Sequence, residues 1–236
     1  MSGKSLAHIM KREFKSFFLS PIAYIVITIF LVVTGWFFFS AFFLGGRADM
    51  RDFFSLLPII FCFVIPAVTM RLLSEEFRSG SYEILTTLPV TLTEILVGKY
   101  LAALGFMVIM FLPTLSYAIF ISFLGELDWG PVIGGYVGAL LLAAAYCAIG
   151  LFASSLTKNQ IIAFIIGLAL CFFFFFVDKM LFFAPAFLTG ILQFLASDFH
   201  FRNIEKGILD SRDLIYFLCI CFVSLYATHL VTQAKK

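Results

Sequence analysis

The sequence has 236 residues, of which 62% are hydrophobic and 13% charged, and its formal net charge is +2. Its mean hydropathy is +1.08, which excludes an ordinary water-soluble domain, where about a quarter of the residues are charged. The bilayer is the solvent for such a chain, and no nucleic acid is expected among its partners.

Residues 4–20 come first. Leu6, Ile9, Met10, Phe14, Phe17 and Phe18 share one helical face, and Lys11, Arg12 and Lys15 fall largely on the other. This pattern predicts an amphipathic helix over residues 1–20 that lies in the interface with its bases toward anionic lipid head groups. Six apolar segments long enough to cross the hydrocarbon core follow: residues 21–44, 53–73, 99–124, 132–156, 161–177 and 214–233. The first is too long for a signal-peptide core and no small-residue cleavage site follows it, so it is expected to stay as an anchor. The second contains Pro58 and Pro66 and is expected to kink or break. The third contains Pro113. Gly134, Gly135 and Gly138 open the fourth and allow close helix approach, most simply against a neighbour in the same chain.

Between spans two and three lies a charged loop, residues 74–98, with helix-start chemistry at Ser74 and at residues 79–81 and a stop at Pro89. Thr91 or Thr93 is placed to cap a further short helix leading into Lys99. Between spans five and six, residues 178–213 hold an apolar stretch broken by Pro185 and Gly190. This stretch predicts an interfacial or re-entrant helical hairpin, followed by a polar run.

Orientation follows from Lys and Arg. With the N-terminus in the cytoplasm, Arg47, Arg51, Lys179, Arg202, Lys206 and Arg212 lie outside and the other ten of the sixteen bases inside. Both termini are therefore predicted to be cytoplasmic.

Several chemistries are not encoded. No G-x-x-x-x-G-K-[ST] phosphate loop occurs, so the chain is not expected to hydrolyse ATP or to be an enzyme. The five cysteines lie in apolar runs without zinc or redox spacing, and the three histidines lie far apart, so no metal site is expected. No span carries a charge near its centre. Lys99, Asp178, Lys179 and His229 sit near span ends, where they are expected to snorkel to the interface. An ion-coupled carrier is therefore disfavoured, and the energy for transport should come from another subunit.

One run carries more information. Glu75, Glu76, Gly80, Ser81, Glu83, Leu85 and Pro89, then Gly98 and Lys99, resemble the E-E-x-x-x-G-[ST]-x-E-x-L-x-x-x-P…G-K pattern of ABC-2 exporter permeases. A second match precedes span six: His200-Phe201, Gly207 to Asp210, Arg212-Asp213 and Tyr216 to Leu218. With Lys11 to Phe14 and Ser20-Pro21, it is similar to the gliding-motility-associated branch of that family.

The resemblance implies an all-α ABC-2 (type V exporter-like) permease fold with six transmembrane helices, in a bacterial inner membrane. It also implies a second permease, identical or related, and a cytoplasmic ABC ATPase dimer that binds ATP and Mg. A subunit with an extracytoplasmic domain is a further implied partner. The ATPase would dock on the loop and the N-terminal helix. Glu75, Glu76, Arg78, Glu83 and their neighbours Ser81 and Pro89 would form the contact, and Gly80 the turn. Read without the family, the same residues are a solvated loop with helix caps. Asp210, Arg212 and Asp213 are expected to cap span six and to pair with one another or with His200; a role in gating or in binding an extracytoplasmic partner is the functional reading. The alternative for the whole chain is a membrane scaffold subunit without transport.

Overall fold

A computed structural model describes residues 3–45, 49–83, 90–125, 127–180, 186–208 and 210–235. Their regular structure is helical. The N-terminal helix α1 spans Gly3–Leu19 and α2 spans Pro21–Gly45. Helix α3 (Arg51–Thr69) runs almost directly into α4 (Arg71–Ser79). After the turn at Gly80, residues 81–83 are helical again; residues 84–89, including Pro89, lie outside the described residues. Next come α5 (Leu92–Phe111), a 3-10 turn (Leu112–Thr114), α6 (Leu115–Leu124), α7 (Trp129–Leu156) and α8 (Gln160–Met180). The chain then forms α9 (Ala186–Leu195), α10 (Ser197–Glu205) and α11 (Ser211–Ala234). Among the described residues six helical stretches are long and apolar enough to cross a membrane, with α3–α4 and α5–α6 each counting as one. This is a multi-pass membrane protein.

Helix α7 is the most buried span and packs against α3, α4, α5, α8, α10 and α11. Its glycines make this possible. Gly135 faces the Phe54 ring of α3, Gly150 faces Thr69, and Gly134 and Gly138 face Ile204 of α10. A methyl group at Gly135 or Gly150 would collide with those neighbours, as expected of small residues at close helix crossings. All these contacts lie within one chain. By contrast only a minority of the residues of α2, α8 and α11 are buried, and many of their large apolar side chains are exposed, which suits lipid.

Four boundaries differ from the sequence-based expectation, each for a local reason. Pro58 and Pro66 both sit inside α3, and the break falls later, at Met70. There the amides of Leu73 and Ser74 donate to Ser154 Oγ of α7, both at 3.0 Å. A side chain from another helix thus takes over part of the backbone ladder. Ser74 does not start a helix; it lies inside α4 and donates to the Met70 carbonyl. Thr91 caps the long helix α5 itself rather than a separate short one. Its hydroxyl accepts from the Glu94 amide, and the Glu94 carboxylate accepts from the Thr91 amide. The connection expected over residues 74–98 is therefore shortened from both ends. Lastly, residues 197–205 form a helix packed on α7 and α8, where a polar run was expected. Phe201 and Ile204 are fully buried in it.

Candidate functional site

The polar residues of α1, α4 and the start of α5 converge at one end of the bundle. Glycine makes the approach possible: Gly98 of α5 faces Ile9 of α1, and Gly105 faces Phe14. Phe17 is buried and stacks on Phe106 with ring centroids 5.2 Å apart. The apolar face of α1 therefore lies on α5, and Lys11, Arg12 and Lys15 stay exposed.

Glu13 lies on that packed face, four residues from both Ile9 and Phe17. Its carboxylate meets Lys99 Nζ at 3.2 Å and Arg12 at 3.0 Å. From the other side, Lys99 donates to Glu76 Oε1 of α4 at 2.6 Å. Lys99 is only 1% exposed, which corrects the expectation that it snorkels to the interface: two carboxylates on two different helices neutralise it where it stands. Burial alone would raise the Glu13 carboxyl. The Lys99 charge, with hydrogen bonds from Arg12 and Lys99, outweighs that, and the group is held below its ordinary value. Arg12, Glu13, Arg71, Glu75, Glu76 and Lys99 line a cavity of about 370 Å³. The Arg71 guanidinium lies 4.8 Å above the Phe17 ring. One oxygen of Glu76, Oε2, is buried without a partner among the described residues.

The far side of α4 is tied down as well. Phe77 packs on Tyr82 at 4.8 Å, and the Tyr82 hydroxyl donates to the Thr232 carbonyl of α11 at 2.9 Å. Lys235 lies 4.6 Å over the Phe77 ring and donates to the Ser155 carbonyl. Between these anchors the chain turns at Gly80, whose φ of 73° is the left-handed conformation that suits glycine. Ser79 and Ser81 hydrogen-bond across the turn at 2.8 Å. Arg78, Ser81 and Glu83 lie beside the turn and Glu75 lies earlier on α4; Glu75, Arg78 and Glu83 are exposed.

The second group of expected residues lies at the opposite end. The Asp210 side chain accepts from the Arg212 amide and caps α11. His200 and Asp213 are both buried, with Nδ1 and Oδ1 2.6 Å apart, and His200 stacks on Tyr216 at 4.1 Å. The Arg212 side chain is exposed and takes no part in this pair. Nearby, Asp198 binds Lys179 at 2.8 Å and also Arg202, which reaches Asp178 at 2.6 Å.

Glu13, Ser154, Tyr82 and Asp198 are not candidates for a functional role from the sequence alone, and Lys99 enters there only through the family pattern. Two signals were available. A glutamate sat on the apolar face of an amphipathic helix, and a lysine directly followed a glycine at the start of a span. Ser154 gave none, because its role depends on where α7 crosses the α3–α4 junction.

In comparisons with known proteins, residues 7–204 match the family described as ABC-2 family transporter protein. No curated protein matches the chain.

Proposed function

The chain belongs to the ABC-2 family of transporter proteins, and from that premise we propose that it is a permease subunit driven by a separate cytoplasmic ATPase in the bacterial inner membrane. The family makes it a membrane component of an ABC transporter; the docking surface, the ATP-driven motion and the orientation are our reading. In that orientation both termini and the α1–α4–α5 junction face the cytoplasm.

The observation that carries the reading is the buried Lys99 held between Glu13 and Glu76. It ties α4 to α1 and α5, which already pack on each other through Gly98, Gly105 and Phe17. Exposed Glu75, Arg78 and Glu83 supply charges for an ATPase surface, next to a glycine turn that presents them. A push on α4 passes through Glu76 to Lys99 and α5, and through Glu13 to α1. The Ser154 bonds pass it to α7 at the core of the bundle. Two permeases, identical or related, would then switch as rigid bodies between inward- and outward-facing states when the ATPase dimer closes on ATP and Mg. The gliding-motility branch rests on the residue patterns at Lys11 to Phe14, at Ser20-Pro21 and from His200 to Leu218. A mechanical role on a partner with an outer domain fits that branch as well as export does.

The test is co-purification from the native host in mild detergent. A Glu75→Ala/Arg78→Ala/Glu83→Ala variant leaves the ion triad intact and should keep its fold. We expect an ABC ATPase to accompany the parent chain and to be lost from the variant. An intact parent complex without an ATPase would sink the proposal and favour the scaffold role.

A further inference from the structure

The end of the bundle away from the ion triad holds a second cavity, lined by both apolar and charged side chains, which coupling to an ATPase does not use. It has a volume of about 450 Å³ and lies at the start of α11, with Phe194, Phe199 and Ile215 as apolar walls and Asp213 among its polar lining. Asp213 is 2% exposed, and its Oδ2 is buried without a partner among the described residues. Such an oxygen is costly to leave unmatched, so the cavity favours a ligand that brings a hydrogen-bond donor.

Charge narrows the class of donor. His200 Nδ1 faces Asp213 Oδ1 at 2.6 Å, and Nε2 faces the Phe194 carbonyl at 3.2 Å. Both bonds form together when the His–Asp pair holds two hydrogens, and the pair is then neutral wherever the shared proton sits. Asp210 and Arg212 also line the cavity, one of each sign. The total is zero with the signs separated, which suits a zwitterion better than a net anion.

Position narrows it further. The cavity sits where α11 passes from Asp210 and Arg212 into apolar sequence. Ile215 belongs both to it and to an apolar groove of about 320 Å³ that continues along α11 past Leu218, Phe222 and Val223. These groove residues are all more than half exposed and recur at the helical period on the face turned to lipid.

We propose that this is a binding site for one phospholipid with a primary-amine zwitterionic head group. Its phosphate pairs with Arg212, its ammonium donates to Asp213 Oδ2 with Asp210 on the same wall, and one acyl chain follows the α11 groove. The site rests on the membrane placement of α11 and not on the ATPase reading.

The test is native mass spectrometry of the full chain in mild detergent, titrated with phosphatidylethanolamine, phosphatidylcholine and phosphatidylglycerol of identical acyl chains. Phosphatidylcholine has the same charge but no N–H donor. We expect phosphatidylethanolamine to be retained about tenfold more tightly than phosphatidylcholine, as a charge-assisted hydrogen bond requires. Arg212→Ala should weaken both alike, and Asp213→Asn should abolish the preference. Because the three-lipid comparison on the parent chain needs no variant, it decides the matter even where Asp213→Asn fails to fold. Equal retention of phosphatidylethanolamine and phosphatidylcholine, or phosphatidylglycerol binding as well as phosphatidylethanolamine, would overturn the assignment.

Discussion

The two polar ends of the bundle use similar residues in opposite ways. At one end Lys99 is 1% exposed and joins α1 to α4 across α5. At the other, the Lys179 side chain is 47% exposed and Arg202 45%, and both share Asp198. Both lysines sit near the end of an apolar helix, and from the sequence they look alike. A half-exposed base keeps most of its hydration, and its ion pairs contribute little. A buried base has given up its water and depends on its partners. The first end is therefore the one where removing a single charge should disturb several helices together.

The largest expected effect follows. Lys99→Ala removes the buried cation that Glu13 and Glu76 share and leaves Glu13 only the exposed Arg12. Breaking such a group typically costs about 3–5 kcal/mol. Thermal unfolding in detergent should show the loss, and Lys99→Arg should recover part of it. Lys179→Ala should change stability by less than about 1 kcal/mol. Equal losses for the two alanine variants would erase the contrast between the ends.

Lys99 also marks the limit of what the sequence conveys. The six spans were legible because each depends on about twenty apolar residues in a row, a property of local composition. The shared face of α1 was legible for the same reason. The ion triad was not, because it needs Gly98 to admit Ile9 and so set α1 against α5, and that is a tertiary fact. The Gly80 turn and the Asp210 cap were readable from residue type, whereas the break at Met70 was not. Pro58 and Pro66 marked the segment for a kink or break, but the amides that are diverted lie about two turns past Pro66 and bond to a serine some eighty residues away. The helix over residues 197–205 was missed because its burial depends on Gly134 and Gly138 of α7.

The Met70 break supplies the next prediction. Ser154→Ala removes the acceptor for two buried amides and the donor to the Met70 carbonyl. An unmatched buried amide costs about 1–3 kcal/mol, although the helix can recover part of this by closing its own ladder. The variant should therefore straighten the α3–α4 junction. Hydrogen exchange at Leu73 and Ser74 should change, and any ATPase stimulation by the permease should fall more than stability does. Unchanged exchange at those two amides would show that Ser154 does not shape the junction.

Gly80→Ala should have a smaller effect, about 1–2 kcal/mol, because φ of 73° places a Cβ in the left-handed region. Among the described residues, its chain neighbours aside, no atom lies within 4 Å of the position that Cβ would take, so the cost there is backbone strain. Gly80→Asn should recover much of it, since asparagine tolerates that region. A loss that asparagine fails to recover would mean that the turn is held by something other than its backbone conformation.

The last effect sets one carboxylate at each end against the other, because pH should act on Glu13 and Glu205 in opposite directions. Glu13 is held below its ordinary value of 4.5. Its contribution to stability is present above that value and is lost as pH falls through the lower folded-state value. Glu205 at the other end behaves in reverse. Burial, and then the negative charge of Asp198, push it up to about 7 against the opposing pull of Arg202 and Arg51. Between about 4.5 and 7 the folded state holds more protons there than the unfolded one, so its contribution is greatest below 4.5 and declines as pH rises toward 7. Each group limits the slope to about 1.4 kcal/mol per pH unit. Hydrogen exchange corrected for its intrinsic pH dependence should therefore show α1 loosening in acid and α10 loosening toward neutral pH. Glu13→Gln should flatten the first trend and Glu205→Gln the second, each leaving the other unchanged. If either substitution flattened both, the two ends would have to unfold as one unit, and the contrast between a coupled junction and a separate outer cluster would fail.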